Sequence, residues 1–160
     1  MAAIDEYINA IIELGGHDAH HDRSATIEAH HLLLAIATKE ESTTRQVLTS
    51  AGLDHRAIRE ALDREFEHSL NAAGVSLAAF DLPRPSNIGK PPTQLGASAK
   101  LALERGFASV DRKRDLRPAH LLLGILQAQV GTVPRALALA GVDRTELVAH
   151  LLQTLTPESE

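Results

Sequence analysis

Three groups of side chains in this sequence have the types and spacing to do chemistry. In His17-Asp18-Ala19-His20-His21-Asp22, five metal-capable ligands fall within six residues. Were a helix to run through them, His17 and His21 would share a face, an arrangement that suits zinc. A second group is the pair His31 and His120, each opening an identical His-Leu-Leu-Leu. The third, Gly96-Ala97-Ser98-Ala99-Lys100, falls short of a nucleophile elbow, because Lys100 stands where a second glycine belongs and no strand precedes it.

Two of the three lead away from catalysis. The only Gly-Lys is Gly89-Lys90, with Arg84 in place of the first glycine of a phosphate-binding loop and Pro91 in place of its Ser/Thr, so nucleotide hydrolysis is excluded here. Ser98 reads as an ordinary helix residue. No His-Glu-x-x-His spacing occurs, and no nucleophile–base pair or carboxylate dyad stands out, so no enzyme is expected. Gly15-Gly16 predicts that the first helix stops before His17, which makes His17, His20 and His21 a solvated loop first and a metal or small-molecule sensor only second.

The elements that must position these groups come in duplicate. At a fixed offset of 89 positions, residues 27–66 pair without a gap with residues 116–155, and eleven of the forty pairs are identical. An internal period of this kind takes precedence over any single motif. Apolar residues at helical spacing predict a helix over 4–14 and a nearly all-apolar one from Ile27 through Ala37. A third helix, Arg45–Ala51, is capped by Ser42, Thr43 or Thr44 and ends at Gly52. Asp54 caps a fourth, whose inner face holds Ile58, Leu62 and Phe66. In the second unit Leu95–Arg105 matches the first helix, and Pro118 suits a first turn. Thr132 caps the third helix, and Asp143 to Glu146 has capping-box spacing for the fourth.

The expected fold is therefore all-α: two pseudo-twofold repeats of four short helices, at 4–66 and 95–155. A long irregular connector at 67–94 joins them, with Leu70, Val75, Leu77 and Phe80 available to dock, and 156–160 form a tail. In this frame His31 and His120 sit in equivalent first turns, where a ring can bond backbone or a neighbouring helix end. Duplication favours structure over catalysis for both.

Composition narrows the function further. Aromatic residues make up 2% of the chain with no Trp, which argues against stacking platforms for nucleic acid. Net charge is −5, and the acidity is concentrated in residues 1–80, whereas residues 81–160 are slightly basic. That asymmetry suits a protein partner better than DNA. Arg112, Lys113, Arg114 and Arg117 form a basic cluster, read as a solvated loop or as a contact for an acidic partner. The absence of cysteine removes disulfides and thiolate chemistry and fits a cytoplasmic protein. The opening Met1-Ala2-Ala3-Ile4-Asp5-Glu6 is unlike a signal peptide, and no run approaches membrane-spanning length.

A helix-opening His-Leu-Leu-Leu, then a third helix ending Ala-Gly-(Leu/Val)-Asp, then a fourth, all present twice, resembles the N-terminal domain of the ClpC and ClpA type of Clp ATPases. The resemblance covers about 6–66 and 95–155. It implies an eight-helix docking platform that receives adaptors and degradation substrates for an unfolding motor. With no motor before Glu160, the chain is similar to the small stand-alone Clp N-terminal proteins of actinobacteria, an adaptor or decoy without cofactor.

Two family contact sites map onto this sequence position by position, one with its acids replaced and one with its charged pair kept. Phosphoarginine recognition by the family uses an acid immediately before each motif histidine. Here those positions are His30 and Ala119, with no carboxylate for a guanidinium. A surface for cyclic peptide antibiotics uses an aromatic, a lysine five residues on, and a glutamate four beyond. Here these are Leu95, Lys100 and Glu104, which keep the charged pair and lose the aromatic. The resemblance thus nominates Leu95, Lys100, Glu104, His30 and Ala119 as partner-binding residues, and the basic cluster adds Arg117.

Overall fold

The two most apolar stretches become the two helices that everything else covers. In the computed structural model, which describes residues 3–39, 42–74 and 89–155, α2 (Ala29–Thr38) and α6 (Pro118–Leu126) are buried almost end to end. Helices α1 (Ala3–His21), α3 (Ser42–Ser50) and α4 (His55–Ala72) complete the first repeat. Helices α5 (Ala97–Ala108), α7 (Thr132–Leu139) and α8 (Arg144–Leu155) complete the second. The described residues are all-α apart from one isolated parallel bridge, Ile27 with Leu95. No described helix is long and apolar enough to cross a membrane.

Duplication is visible in the atoms as well as in the sequence. A Cβ on Gly15 would meet the His31 carbonyl oxygen at 3.4 Å, and one on Gly106 would meet that of His120 at 3.0 Å. Thus α1 crosses α2 as α5 crosses α6, each through a glycine that permits close approach. These partners lie 91 positions apart rather than 89, so the loop after the second crossing is two residues shorter. The C-caps match too: Gly52 and Gly141 adopt φ of +77° and +75°, and Leu53 and Val142 donate back to Leu48 and Leu137.

At the start of α4, the Asp54 carboxylate accepts the Ala57 amide at 2.8 Å. Its counterpart Asp143 accepts from Thr145 and Glu146 at 3.0 and 3.2 Å. Replacing Asp54 with alanine is expected to cost about 1 kcal/mol, read as a lower urea midpoint.

Several boundaries differ from expectation. Helix α1 does not stop at Gly15-Gly16 but continues to His21, because both glycines are there to admit neighbours: a Cβ on Gly16 would meet the Pro92 carbonyl oxygen at 2.8 Å. Residues 17–21 are therefore helical rather than a loop. Helix α3 starts earlier, at Ser42, which places Thr43 and Thr44 inside it instead of at its cap. Gly131, not Thr132, is the N-cap of α7. Phe66 is 55% exposed, and the buried face of α4 carries Glu65 in its stead. That carboxylate accepts from Arg135 of α7 at 2.9 Å and from Ser69 at 2.8 Å, so an ion pair ties α4 to the other repeat. Helix α4 also reaches Ala72, into the expected connector, and Leu70 is half-buried. Val75, Leu77 and Phe80, with the tail at 156–160, lie outside the described residues.

Candidate functional site

The sharpest local chemistry gathers around the start of α2. Chain entry into α2 and α5 is shared: the Ile27 amide donates to the Gln94 carbonyl at 2.9 Å, and the Gly96 amide to that of Ile27 at 2.8 Å. The Glu28 carboxylate then clasps the two helix starts. It accepts from the Ser98 hydroxyl at 2.7 Å and from Thr26, while Ser98 Oγ accepts the Ala29 amide at 2.8 Å. Burial by itself would raise the Glu28 carboxyl, but the hydrogen bonds from Thr26 and Ser98 outweigh it and hold it below the usual carboxylate range. Ser98, unremarkable in sequence, is thus half of a cross-repeat clasp. Replacing it with alanine is expected to cost about 1–2 kcal/mol, checked by chemical denaturation.

The two motif histidines cap their helices in the same way. Nδ1 of His31 accepts the Glu28 amide at 2.9 Å, and Nδ1 of His120 accepts the Arg117 amide at 2.9 Å. Each ring occupies the third helical position and reaches back to the N-cap backbone, the role a capping box gives to Glu or Gln. With Nδ1 accepting, the ring proton of His31 lies on Nε2, which donates to Asp22 at 3.0 Å.

Asp22 and Asp18 extend this into a network along the end of α1. Arg59 of α4 donates to Asp22 at 2.6 Å and to Asp18 at 3.1 Å, and His55 lies 3.1 Å from Asp18. Burial would raise the Asp22 carboxyl, yet the His31 hydrogen bond and the Arg59 charge prevail and lower it. Only the first repeat has this network, since Arg59 corresponds to Val148 and α5 stops at Ala108.

Among the described residues, one group of three metal-capable side chains comes together: Asp22, His30 and His31. Its chemistry suits hydrogen bonding rather than a cation. A metal on Nε2 of His31 would force the ring proton onto Nδ1, against the Glu28 amide, and Arg59 already holds Asp22. His17, His20 and His21 form no such group, although the continued α1 does place His17 and His21 one turn apart.

Beside His30 opens a groove of about 440 Å³ between the start of α2, the outer face of α5 and the α6–α7 turn. Of the candidate residues, only His30 lines it. Burial first, and the neighbouring His31 second, push His30 down to about 4, so it is neutral at physiological pH. Leu95 is half-buried in the bridge to Ile27, and Ala119, in the first turn of α6, is buried. Lys100, Glu104 and Arg117 are exposed. Thus the structure separates the candidates into groove, core and surface.

The order of helices, the doubled cap and the paired crossings now meet their counterpart among known proteins. The sequence model of the Clp repeat (R) N-terminal domain matches residues 4–77, the first repeat and the residues just past the end of α4. That match covers a little under half of the chain and is what the first repeat is similar to. The Clp-type fold extends over both repeats. A crystal structure of the N-terminal domain of the caseinolytic protease associated chaperone ClpD from Arabidopsis thaliana matches with a TM-score of 0.62, covering 91% of this chain and 90% of that one at 18% identity. No curated protein matches the sequence.

Proposed function

We propose that this Clp-type domain is a non-catalytic docking module that binds protein or peptide ligands of a Clp degradation system and acts as adaptor or decoy. The observation that carries the reading is a doubled helical repeat in the fold of a Clp N-terminal domain, clasped at the starts of α2 and α5 beside an open groove. The ClpD structure, described as that of a chaperone associated with a protease, supports the same system. These 160 residues hold no phosphate-binding loop, so force for unfolding comes from a motor outside them. Partners on this reading are a Clp ATPase, its adaptor or a degradation substrate, in the cytoplasm.

A cyclic peptide antibiotic is a further ligand of the reading, at Leu95, Lys100 and Glu104. Both charged side chains are exposed, and among the described residues no ion pair within 4 Å joins them. Calorimetric titration with Clp ATPase, adaptor, degradation-marked protein and cyclic peptide tests the proposal. Binding of at least one class supports it, and silence from all four sinks it. Where the cyclic peptide binds, Lys100→Glu is expected to weaken it roughly tenfold, the loss of one charge-assisted contact.

A further inference from the structure

Arg105 is the groove's unspent charge. It is half-buried in the groove wall on α5, yet among the described residues it makes no ion pair or hydrogen bond. The other polar groups facing the groove are engaged or neutral. Each Glu28 oxygen already accepts a hydrogen bond, from Thr26 and Ser98, and His30 is uncharged at physiological pH. Arg135 on the opposite wall gives its Nε to Glu65 and keeps its terminal nitrogens. Gly131, the N-cap of α7, has no side chain to cap the first-turn amides, so the positive end of that helix faces the same space. Around these donors the surface is apolar and open: Val130 is 86% exposed and Leu101 45%.

We infer that the groove docks a peptide segment carrying an aspartate or glutamate flanked by branched apolar residues. The carboxylate pairs with Arg105, and the apolar neighbours cover Leu101 and Val130. A half-buried guanidinium gains most from a planar carboxylate that accepts two of its N–H groups. A phosphate dianion fits less well, because the Glu28 carboxylate in the same groove repels two charges about twice as strongly as it repels one, while Arg105 is the single guanidinium there without a partner among the described residues. A cationic segment is repelled by Arg105 and Arg135 together. The inference rests on the docking reading above and specifies the ligand chemistry that this groove selects.

The test uses the full chain and fluorescent octapeptides, acetylated and amidated at their ends, with a central Leu-Glu-Leu, Leu-Gln-Leu or Leu-phosphoserine-Leu. By anisotropy, the glutamate peptide should bind roughly tenfold more tightly than its glutamine isostere. Arg105→Gln should erase that difference and Arg105→Lys should keep part of it, both with unchanged circular dichroism and melting. Equal affinity for glutamate and glutamine peptides, discrimination that survives Arg105→Gln, or tighter binding of the phosphoserine peptide overturns the inference. So does failure of all three to bind. If that failure comes while a Clp ATPase or adaptor still binds in the calorimeter, the groove assignment falls alone. If nothing binds in either experiment, both readings fall.

Discussion

His31→Ala is expected to remove about 3–4 kcal/mol of folding stability, whereas His120→Ala removes about 1 kcal/mol. The two residues occupy equivalent positions and accept the same N-cap amide, so this difference isolates what surrounds them. His31 is 1% exposed, and its removal leaves a cavity, an orphaned Glu28 amide and an Asp22 oxygen without its donor. His120 is half-buried, and among the described residues its Nε2 has no protein partner, so only the cap is lost. His31→Gln should recover part of the loss, because glutamine at the third helical position can still reach the N-cap amide. Urea unfolding of the four proteins decides it. Equal losses at the two sites would mean that the Asp22–Arg59 network contributes nothing to the folded state.

This asymmetry also shows why sequence resolved the frame better than the site. The offset of 89 residues exposed the repeats because caps, stops and apolar positions are local and periodic, and both copies needed them. Helical spacing was equally legible in α2 and α6. What escaped depends on contacts between distant segments. Gly15-Gly16 reads as a stop until Pro92 and the His31 carbonyl press against it, and only then does it become a crossing point inside a longer helix. Phe66 follows the apolar stripe of α4, but Glu65 takes the buried position because Arg135, 70 residues away, meets it there. Ser98 and Glu28 are unremarkable singly and form the clasp only because the chain enters α2 and α5 side by side. Arg105 carries no sequence signal for a related reason: no pattern of residues marks a cation by its lack of a partner. His30 was singled out from the family position before each motif histidine, and it does line the groove, while its counterpart Ala119 lies in the core.

Acidification should destabilise the domain well above the range in which its carboxylates titrate, and His30 is the main cause. An unfolded chain protonates this imidazole near its ordinary 6.5, whereas the folded protein resists until about 4, because burial penalises the charged ring and the His31 neighbour adds to the penalty. Between those values the unfolded state binds the extra proton, so stability falls as pH falls from about 6.5 towards 4. The span corresponds to a loss on the order of 3 kcal/mol. His120, lowered by burial and then by the Arg117 charge, contributes with the same sign. Asp22 and Glu28 are lowered carboxylates, whose stabilisation is lost only as pH falls from their ordinary values through their folded ones, below most of this window. Urea unfolding at pH 7.5, 6.5, 5.5 and 4.5 should therefore show a progressive decline that His30→Gln largely flattens and His120→Gln reduces less. A His30→Gln protein that keeps the full decline would move the proton uptake to another imidazole. The same charging would place a cation on the groove wall beside Glu28, so acid that weakens the fold also alters the surface on which a ligand would dock.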